Sequence, residues 1–121
     1  MTVIIYHNPN CSNSRGALAL LRERGIEPAI VEYLRTPLTV PALAALAGKL
    51  RETAGPAWPG LRDGMLRAKE AVWSELHLDG ANDAALLAAV AAHPILLNRP
   101  IVVTPKGARL CRPPELVREI L

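Results

Sequence analysis

Short apolar runs and helix-period stripes alternate along the first part of the chain. The run TVIIY at 2–6 is β-branched and apolar, which favours a strand covered on both faces. After a polar loop at 7–14, apolar residues recur at helical spacing from Arg15, and Gly25 ends that pattern. A second short strand follows at 29–33. These elements predict a βαβ unit with parallel strands and a right-handed crossover.

The middle of the chain has the pattern of helices. Thr39 can cap a helix that starts at Val40, because a proline in the first turn is tolerated there. An apolar stripe supports this helix: Leu43, Leu46 and Leu50. The pattern breaks at 51–60, where prolines and glycines predict a loop or a local insertion. Helical spacing returns at 61–76 and again at 83–92, which predicts two further helices.

The last part of the chain has the pattern of a hairpin and a helix. Strands are predicted at 101–104 and 108–111 as an antiparallel pair, followed by a helix over 113–121. The order βαβ, helices, ββα is the plan of a thioredoxin-like α/β fold, with a mixed four-stranded sheet flanked by helices. We therefore predict a single domain over 1–121 with a helical insertion at about 39–92.

Composition narrows the function classes. Half of the residues are hydrophobic and 21% are charged, as in ordinary soluble globular proteins. The chain contains no long uncharged apolar run and no signal-peptide pattern, so we expect a cytoplasmic protein without a membrane partner. The net charge is +3, but the basic residues are scattered. A small anionic substrate explains this charge at least as well as nucleic acid, and we expect no nucleic-acid partner.

The two cysteines of the chain, Cys11 and Cys111, differ in their sequence surroundings. They form no paired-ligand spacing, so neither a metal site nor a disulfide framework is indicated. Cys11 lies where a strand ends and a helix begins, near unpaired backbone N–H groups and the positive end of the helix dipole. The same surroundings favour a thiolate and a bound anion. A small buried cysteine in a turn is the alternative interpretation.

Other residues near the first loop offer supporting chemistry. Ser12 and Ser14 add hydroxyl donors, and His7 can hydrogen-bond within the loop. Arg15 can contribute or point to solvent, since it lies in the first helical turn. Cys111 ends the predicted strand at 108–111 and is interpreted as a structural residue, with a resolving thiol as the alternative.

Three arginines are candidates for binding an oxyanion: Arg67, Arg99 and Arg112. A guanidinium group donates paired hydrogen bonds to a tetrahedral oxyanion and stays charged. Arg99 and Arg112 bracket the predicted hairpin, and a proline after each favours extended geometry. Each arginine taken singly can also be an ordinary solvated charge.

Four segments resemble the glutaredoxin-dependent arsenate reductases. They are YHNPNCSNSR at 6–15, IEPAIVEYLRTP at 26–37, LRAKE at 66–70 and HPILLNRPIVVTPKGARLCRPPE at 93–115. The resemblance covers nearly the whole chain. It implies a thioredoxin-like fold and reduction of arsenate to arsenite. In such enzymes the cysteine attacks arsenate, glutathione reacts with the arsenylated enzyme, and glutaredoxin resolves the mixed disulfide.

The resemblance also implies roles for individual residues. Cys11 would be the nucleophile, and His7 and Ser14 would tune its thiolate. The oxyanion and the covalent intermediate would be bound by Arg67, Arg99 and Arg112. The Arg99-Pro100 bond would be a candidate cis peptide. No bound cofactor is expected, since glutathione acts as a co-substrate.

Other function classes remain open on the sequence. A phosphatase-like arsenate reductase is disfavoured, because its loop needs an arginine six positions after the thiol and Arg15 comes too early. A glutaredoxin-like thiol oxidoreductase fits the Cys-x-x-Ser pattern from Cys11 to Ser14. A redox-responsive binding protein usually carries a second cysteine where this chain has Ser14.

Overall fold

The chain folds into two compact units. The computed structural model describes residues 2–121. One unit, the sheet unit, contains residues 2–36 and Arg99–Leu121, and the other, the helical unit, contains Pro37–Asn98. The predicted helical insertion at about 39–92 lies inside the helical unit. A single domain over the whole chain stays a prediction.

The sheet unit contains one mixed four-stranded sheet. Its strands are β1 (Ile4–Tyr6), β2 (Ala29–Val31), β3 (Ile101–Thr104) and β4 (Gly107–Leu110), in the spatial order β2-β1-β3-β4. β1 pairs with β2 in parallel and with β3 antiparallel, and β3 and β4 form the antiparallel hairpin. The predicted α/β fold with a parallel half and an antiparallel half is confirmed.

Helix α1 (Ser12–Glu23) covers the sheet together with a C-terminal 3₁₀ helix (Pro114–Ile120). The core between them is formed by apolar side chains, among them Ile5, Leu21, Val102 and Val117. α1 and the 3₁₀ helix approach closely, because a Cβ added at Gly16 would lie 2.9 Å from Cγ of Pro114. This packing brings the start of α1 near the end of the hairpin.

The helical unit contains four α-helices: α2 (Val40–Ala54), α3 (Leu61–Met65), α4 (Ala71–Glu75) and α5 (Asp83–Ala92). Short 3₁₀ helices follow α2 and α5, at Gly55–Ala57 and Pro94–Leu96. The predicted cap at Thr39 is confirmed, since its side chain accepts a hydrogen bond from the Ala42 N–H at 3.3 Å. The predicted helix at 83–92 is confirmed as α5.

Two predictions in the helical unit were wrong. The helix expected over 61–76 is divided into α3 and α4, because Leu66 is extended and pairs with Leu97 in an isolated antiparallel bridge. That pairing is long-range, so helical periodicity cannot detect it. The break expected from Arg51 comes later, since α2 continues to Ala54 and ends where Gly55 adopts a positive φ of 57°.

Element boundaries in the sheet unit differ from the prediction by a few residues. α1 begins at Ser12, because Cys11 occupies the N-cap position. The strands expected at 2–6 and 29–33 are shorter, since only their paired residues are regular strand. The final element is a 3₁₀ helix and the second hairpin strand is Gly107–Leu110. Such shifts are usual where an element ends.

Candidate active site

Cys11 occupies the N-cap position of α1. Its backbone is extended, with φ −99° and ψ 124°, and its carbonyl accepts the Arg15 N–H at 3.0 Å. Its own N–H donates to the Asn8 carbonyl at 3.0 Å. The side chain is 7% exposed, and the N–H groups of Asn13 and Ser14 donate to the thiol sulfur. The predicted placement of the cysteine at a helix start is confirmed.

These surroundings determine the ionisation of the thiol. Burial raises the pKa of Cys11, but four other contributions outweigh it: the N–H groups of Ser14 and Asn13, the charge of Arg99 and a hydrogen bond from Arg112. The net pKa is lowered below the ordinary value of a cysteine. A lowered pKa increases the fraction of thiolate, which is the nucleophilic form.

Arg112 contacts the thiol directly. Its Nη1 lies 3.6 Å from the Cys11 sulfur and donates to the Arg99 carbonyl at 3.0 Å. Because the same nitrogen serves both acceptors, the Arg99 carbonyl holds the guanidinium against the sulfur. The remaining donors of that group can serve an anion bound at the thiolate.

Arg99 lies just before β3, beside Arg112 at the open end of the hairpin, and is half-buried. Its Nε and Nη1 are shielded from solvent, and its positive charge lowers the pKa of Cys11. The Arg99-Pro100 peptide bond is cis, which confirms the prediction, and the Arg112-Pro113 bond is also cis, which was not predicted. The structure thus brings both hairpin arginines to Cys11.

His7 and Ser14 form a buried pair next to the cysteine. His7 Nδ1 and Ser14 Oγ are 2.6 Å apart, and the same hydroxyl accepts the Asn8 N–H at 3.1 Å. Burial lowers the pKa of His7, although Glu32 opposes the shift. The imidazole is therefore neutral at pH 7 and brings no positive charge to the Cys11 thiol.

The other two predicted supporting residues, Ser12 and Arg15, are both exposed. Ser12 is exposed at the first position of α1. Arg15 is exposed too, and its Nη1 donates to the Pro9 carbonyl at 2.9 Å. Arg15 therefore binds the loop before Cys11 through the Pro9 carbonyl and does not contact the sulfur.

Sequence reasoning missed Asn8. This residue accepts the N–H of Cys11 through its carbonyl and the N–H of Asn10 through its side-chain oxygen at 3.0 Å. A signal was available, since asparagine favours turns in which its side chain binds the backbone two residues on.

Arg67 lies in the helical unit. Its Nη2 pairs with Glu70 Oε1 at 3.2 Å, and its backbone N–H donates to the Leu96 carbonyl at 2.9 Å. Arg67 thus stands between α3 and α4 in a half-buried ion pair. Its predicted role in binding an oxyanion stays a prediction.

Cys111 lies in the core of the sheet unit. Its side chain is fully buried, and it packs in the same cluster as Ala17 and Val117. Burial raises the pKa of Cys111 to about 12. The thiol is therefore protonated at neutral pH, which agrees with a structural residue and disfavours a resolving thiol.

The described residues show neither a metal-binding cluster nor a membrane-spanning helix. Among residues 2–121, no group of three or more His, Cys, Asp or Glu side chains is arranged to hold a metal ion. Within the same residues, no helix has the length and apolar character needed to cross a membrane.

The site's sequence and fold match known proteins. A model of the ArsC family matches residues 6–120, which is nearly the whole chain. The chain belongs to the ArsC family. It is 46% identical to "Arsenate reductase" of Rhizobium meliloti, over 100% of this chain and 82% of that protein. It is 43% identical to "Arsenate reductase" of Escherichia coli strain K12, over 98% of this chain and 80% of that protein.

A solved member of the ArsC family has the same fold. The structure of "Arsenate reductase from Vibrio cholerae" superposes with a TM-score of 0.90 at 46% identity, covering 100% of this chain and 98% of that one. The thioredoxin-like fold expected from the order of elements is thereby confirmed. The resemblance of the four sequence segments to arsenate reductases is confirmed as well.

Proposed function

We propose that this protein reduces arsenate to arsenite, with Cys11 as the nucleophile. The observation that carries the proposal is the guanidinium of Arg112 at 3.6 Å from the Cys11 sulfur, on a thiol whose pKa is lowered. Membership of the ArsC family and relatives named arsenate reductase support arsenate as the substrate.

The charge distribution at Cys11 suits an oxyanion. The N–H groups at the start of α1 and the guanidinium groups of Arg99 and Arg112 all place positive charge at the sulfur. A thiolate and an incoming anion repel each other, so such a site needs donors that serve both. The forked donor geometry of Arg112 matches two oxygens of a tetrahedral oxyanion.

The first chemical step is attack of the Cys11 thiolate on arsenic. A sulfur–arsenic bond forms, an arsenic–oxygen bond breaks, and that oxygen leaves as water after it is protonated. Arsenic stays pentavalent in this covalent intermediate. Arg112 and Arg99 offset the negative charge that the intermediate carries, which is electrostatic stabilisation by groups already in place.

The second step needs an electron donor from outside the chain. Cys111 is the only other cysteine, and it is buried and protonated with a pKa of about 12. We assign this role to glutathione, whose thiolate attacks the Cys11 sulfur. A disulfide forms, the sulfur–arsenic bond breaks, and its electron pair stays on arsenic, which leaves as trivalent arsenite. Glutaredoxin then reduces the mixed disulfide.

The remaining site residues have supporting roles in this proposal. Ser14 and the neutral His7 hold the loop that carries Cys11, through the hydrogen bond of 2.6 Å between them. Arg67 is the third arginine for the oxyanion, and it is proposed on the resemblance alone. The protein binds no resident cofactor or metal in this mechanism.

The proposal is tested by a coupled assay. Oxidation of NADPH is followed with arsenate, glutathione, glutaredoxin and glutathione reductase, and arsenite is measured as the product. We expect turnover that depends on arsenate and on both thiol components. Cys11→Ser should remove it, because a hydroxyl at neutral pH is not ionised.

Three outcomes would reject parts of the proposal. Absence of arsenate-dependent turnover would reject the activity. Turnover that a thioredoxin system supports and glutaredoxin does not would reject the assigned electron donor. Efficient reduction of a small disulfide without arsenate turnover would favour a thiol oxidoreductase with the Cys-x-x-Ser pattern of Cys11 and Ser14.

A further inference from the structure

The segment before Cys11 is held by a small set of hydrogen bonds rather than by regular structure. We call His7 to Cys11 the cysteine loop; it connects the end of β1 to the start of α1. The loop contains no glycine, and it lies outside every strand and helix. Its shape therefore depends on bonds made by its own polar groups.

Asn8 makes three of these bonds. Its side-chain Oδ1 accepts the Asn10 N–H at 3.0 Å, and its carbonyl accepts the Cys11 N–H at 3.0 Å. Its own N–H donates to Ser14 Oγ at 3.1 Å. One half-buried residue thus connects the residue before the nucleophile, the nucleophile and the first turn of α1.

These contacts act on the position of Cys11 at the end of the loop. The bond between the Cys11 N–H and the Asn8 carbonyl restrains the φ of Cys11, which is −99°. That angle sets the orientation of Cys11 and the start of α1 relative to the loop and β1, and so the position of the sulfur relative to Arg112. The Asn10 N–H, one residue before Cys11, donates to the side-chain oxygen of Asn8. This bond holds the backbone just before Cys11 and so supports the same φ of Cys11.

We propose that Asn8 is a positioning residue of this site, whose side-chain oxygen closes the cysteine loop so that the Cys11 sulfur lies beside Arg112. The proposal rests on the proposed function for its kinetic consequence. Its structural consequence, the state of the Cys11 thiol, can be measured without arsenate.

The test compares Asn8→Ala, Asn8→Ser and Asn10→Ala with the natural chain. Asn8→Ala removes the acceptor, and Asn8→Ser leaves a shorter and weaker one. Asn10→Ala is the matched control, because it removes an exposed amide beside the cysteine and leaves the backbone N–H of residue 10 in place. The rate of iodoacetamide alkylation at Cys11 is measured against pH by mass spectrometry, with far-UV circular dichroism as a check of folding.

We expect Asn8→Ala to raise the apparent pKa of Cys11 by about half a unit or more, and Asn8→Ser to raise it less. Asn10→Ala should leave it unchanged. In the arsenate assay, kcat/KM at pH 7 should fall by about three- to tenfold for Asn8→Ala, the size expected for loss of one hydrogen bond.

An unchanged thiol pKa in a folded Asn8→Ala protein would overturn the proposal, even if Tm fell, because Asn8 would then be structural only. Equal shifts in Asn8→Ala and Asn10→Ala would overturn it too. If Asn8→Ala does not fold, Asn8→Ser decides, since an upward shift supports the proposal and an unchanged pKa rejects it. Lack of arsenate turnover in the natural chain would reject the proposed function and leave the alkylation result valid.

Discussion

The two cysteines of this chain are both buried, yet their surroundings give them opposite acid–base behaviour. Cys11 is 7% exposed and has a lowered pKa, whereas Cys111 is 0% exposed and has a pKa of about 12. Cys11 receives N–H donors and faces two arginines; Cys111 is surrounded by apolar side chains. Burial alone therefore does not decide reactivity; donors that favour the charged form do.

Two neighbouring residues, Cys111 and Arg112, also lie in different environments. Cys111 and Arg112 are adjacent in the segment after β4, yet their side chains lie in different surroundings. Cys111 enters the core, and the guanidinium of Arg112 reaches the Cys11 sulfur. One short segment thus supplies a core residue and a site residue.

The largest expected effect is on turnover, when each of the two cysteines is substituted in turn. Cys11→Ser should abolish arsenate reduction, because it removes the proposed nucleophile. Cys111→Ala should keep most of kcat and lose stability by about 1 to 2 kcal/mol, since it deletes a small buried side chain. Arsenite production and urea unfolding measure the two effects. Loss of turnover in a folded Cys111→Ala protein would show that the second thiol takes part in the reaction.

A smaller effect is expected at the arginine that faces Cys11. Arg112→Lys should lower kcat/KM for arsenate by about ten- to a hundredfold, because an ammonium group cannot donate a forked pair of hydrogen bonds. Arg109→Lys is the matched control on β4, where Arg109 pairs with Glu119 at 3.3 Å. Steady-state kinetics at constant ionic strength give kcat/KM for arsenate in each variant and in the natural chain. Similar losses in both variants would remove Arg112 from the site.

The pH dependence of alkylation directly compares the reactivity of the Cys11 and Cys111 thiols. Thiolate is the reactive form, so modification of Cys11 should speed up with pH through a midpoint below the ordinary pKa of a cysteine. Cys111 should remain unmodified in the folded protein through neutral pH and should react only after unfolding. Mass spectrometry over a pH series measures the extent of alkylation at each of the two cysteines. Modification of Cys111 at the same rate as Cys11 would contradict the assigned surroundings.

The two thiols also predict opposite pH effects on folding stability. Cys11 has a lowered pKa in the folded state, so its contribution is present above the unfolded pKa and is lost as pH falls through the folded value. Cys111 has a raised pKa, so its contribution is present below the unfolded pKa and is lost as pH rises towards about 12. Urea unfolding of the natural chain and Cys111→Ala at pH 7 and pH 10 measures the second effect. We expect the natural chain to lose more stability than the variant over that interval.

The smallest expected effect concerns the hydroxyl beside Cys11. Ser14→Ala should destabilise the fold by about 1 kcal/mol, because the buried His7 and the Asn8 N–H lose their shared partner. Ser12→Ala, at an exposed position, should change the free energy of unfolding by less than about 0.5 kcal/mol. Equal values for the two serines in urea unfolding would show that the buried hydrogen bonds are not stabilising.

Much of the fold could be predicted from local pattern. The apolar run that forms β1, the stripe of α1 and the Thr39 cap of α2 each depend on neighbouring residues, and each was found. The start of α1 was placed at Arg15 instead of Ser12, because serine and asparagine are typical of caps and turns and conceal a helix that begins among them. The division at Leu66 was missed since its partner Leu97 is distant in the chain.

The site was predictable only where it depends on residues that are neighbours in the sequence or on recognisable chemistry. Cys11 at a helix start follows from local order, and the arginines came from chemistry and the resemblance. The Asn8 bonds that close the cysteine loop were not found, because composition does not show which loop oxygen accepts which N–H.

The sequence by itself determined that a cysteine follows a short buried strand and begins a helix, and therefore that its thiol can ionise. Only the tertiary structure decided that Arg112 meets this sulfur and that Cys111 does not. The reason is distance along the chain. Arg112 and Cys11 are 101 positions apart, and they come together only when the hairpin joins the sheet beside β1.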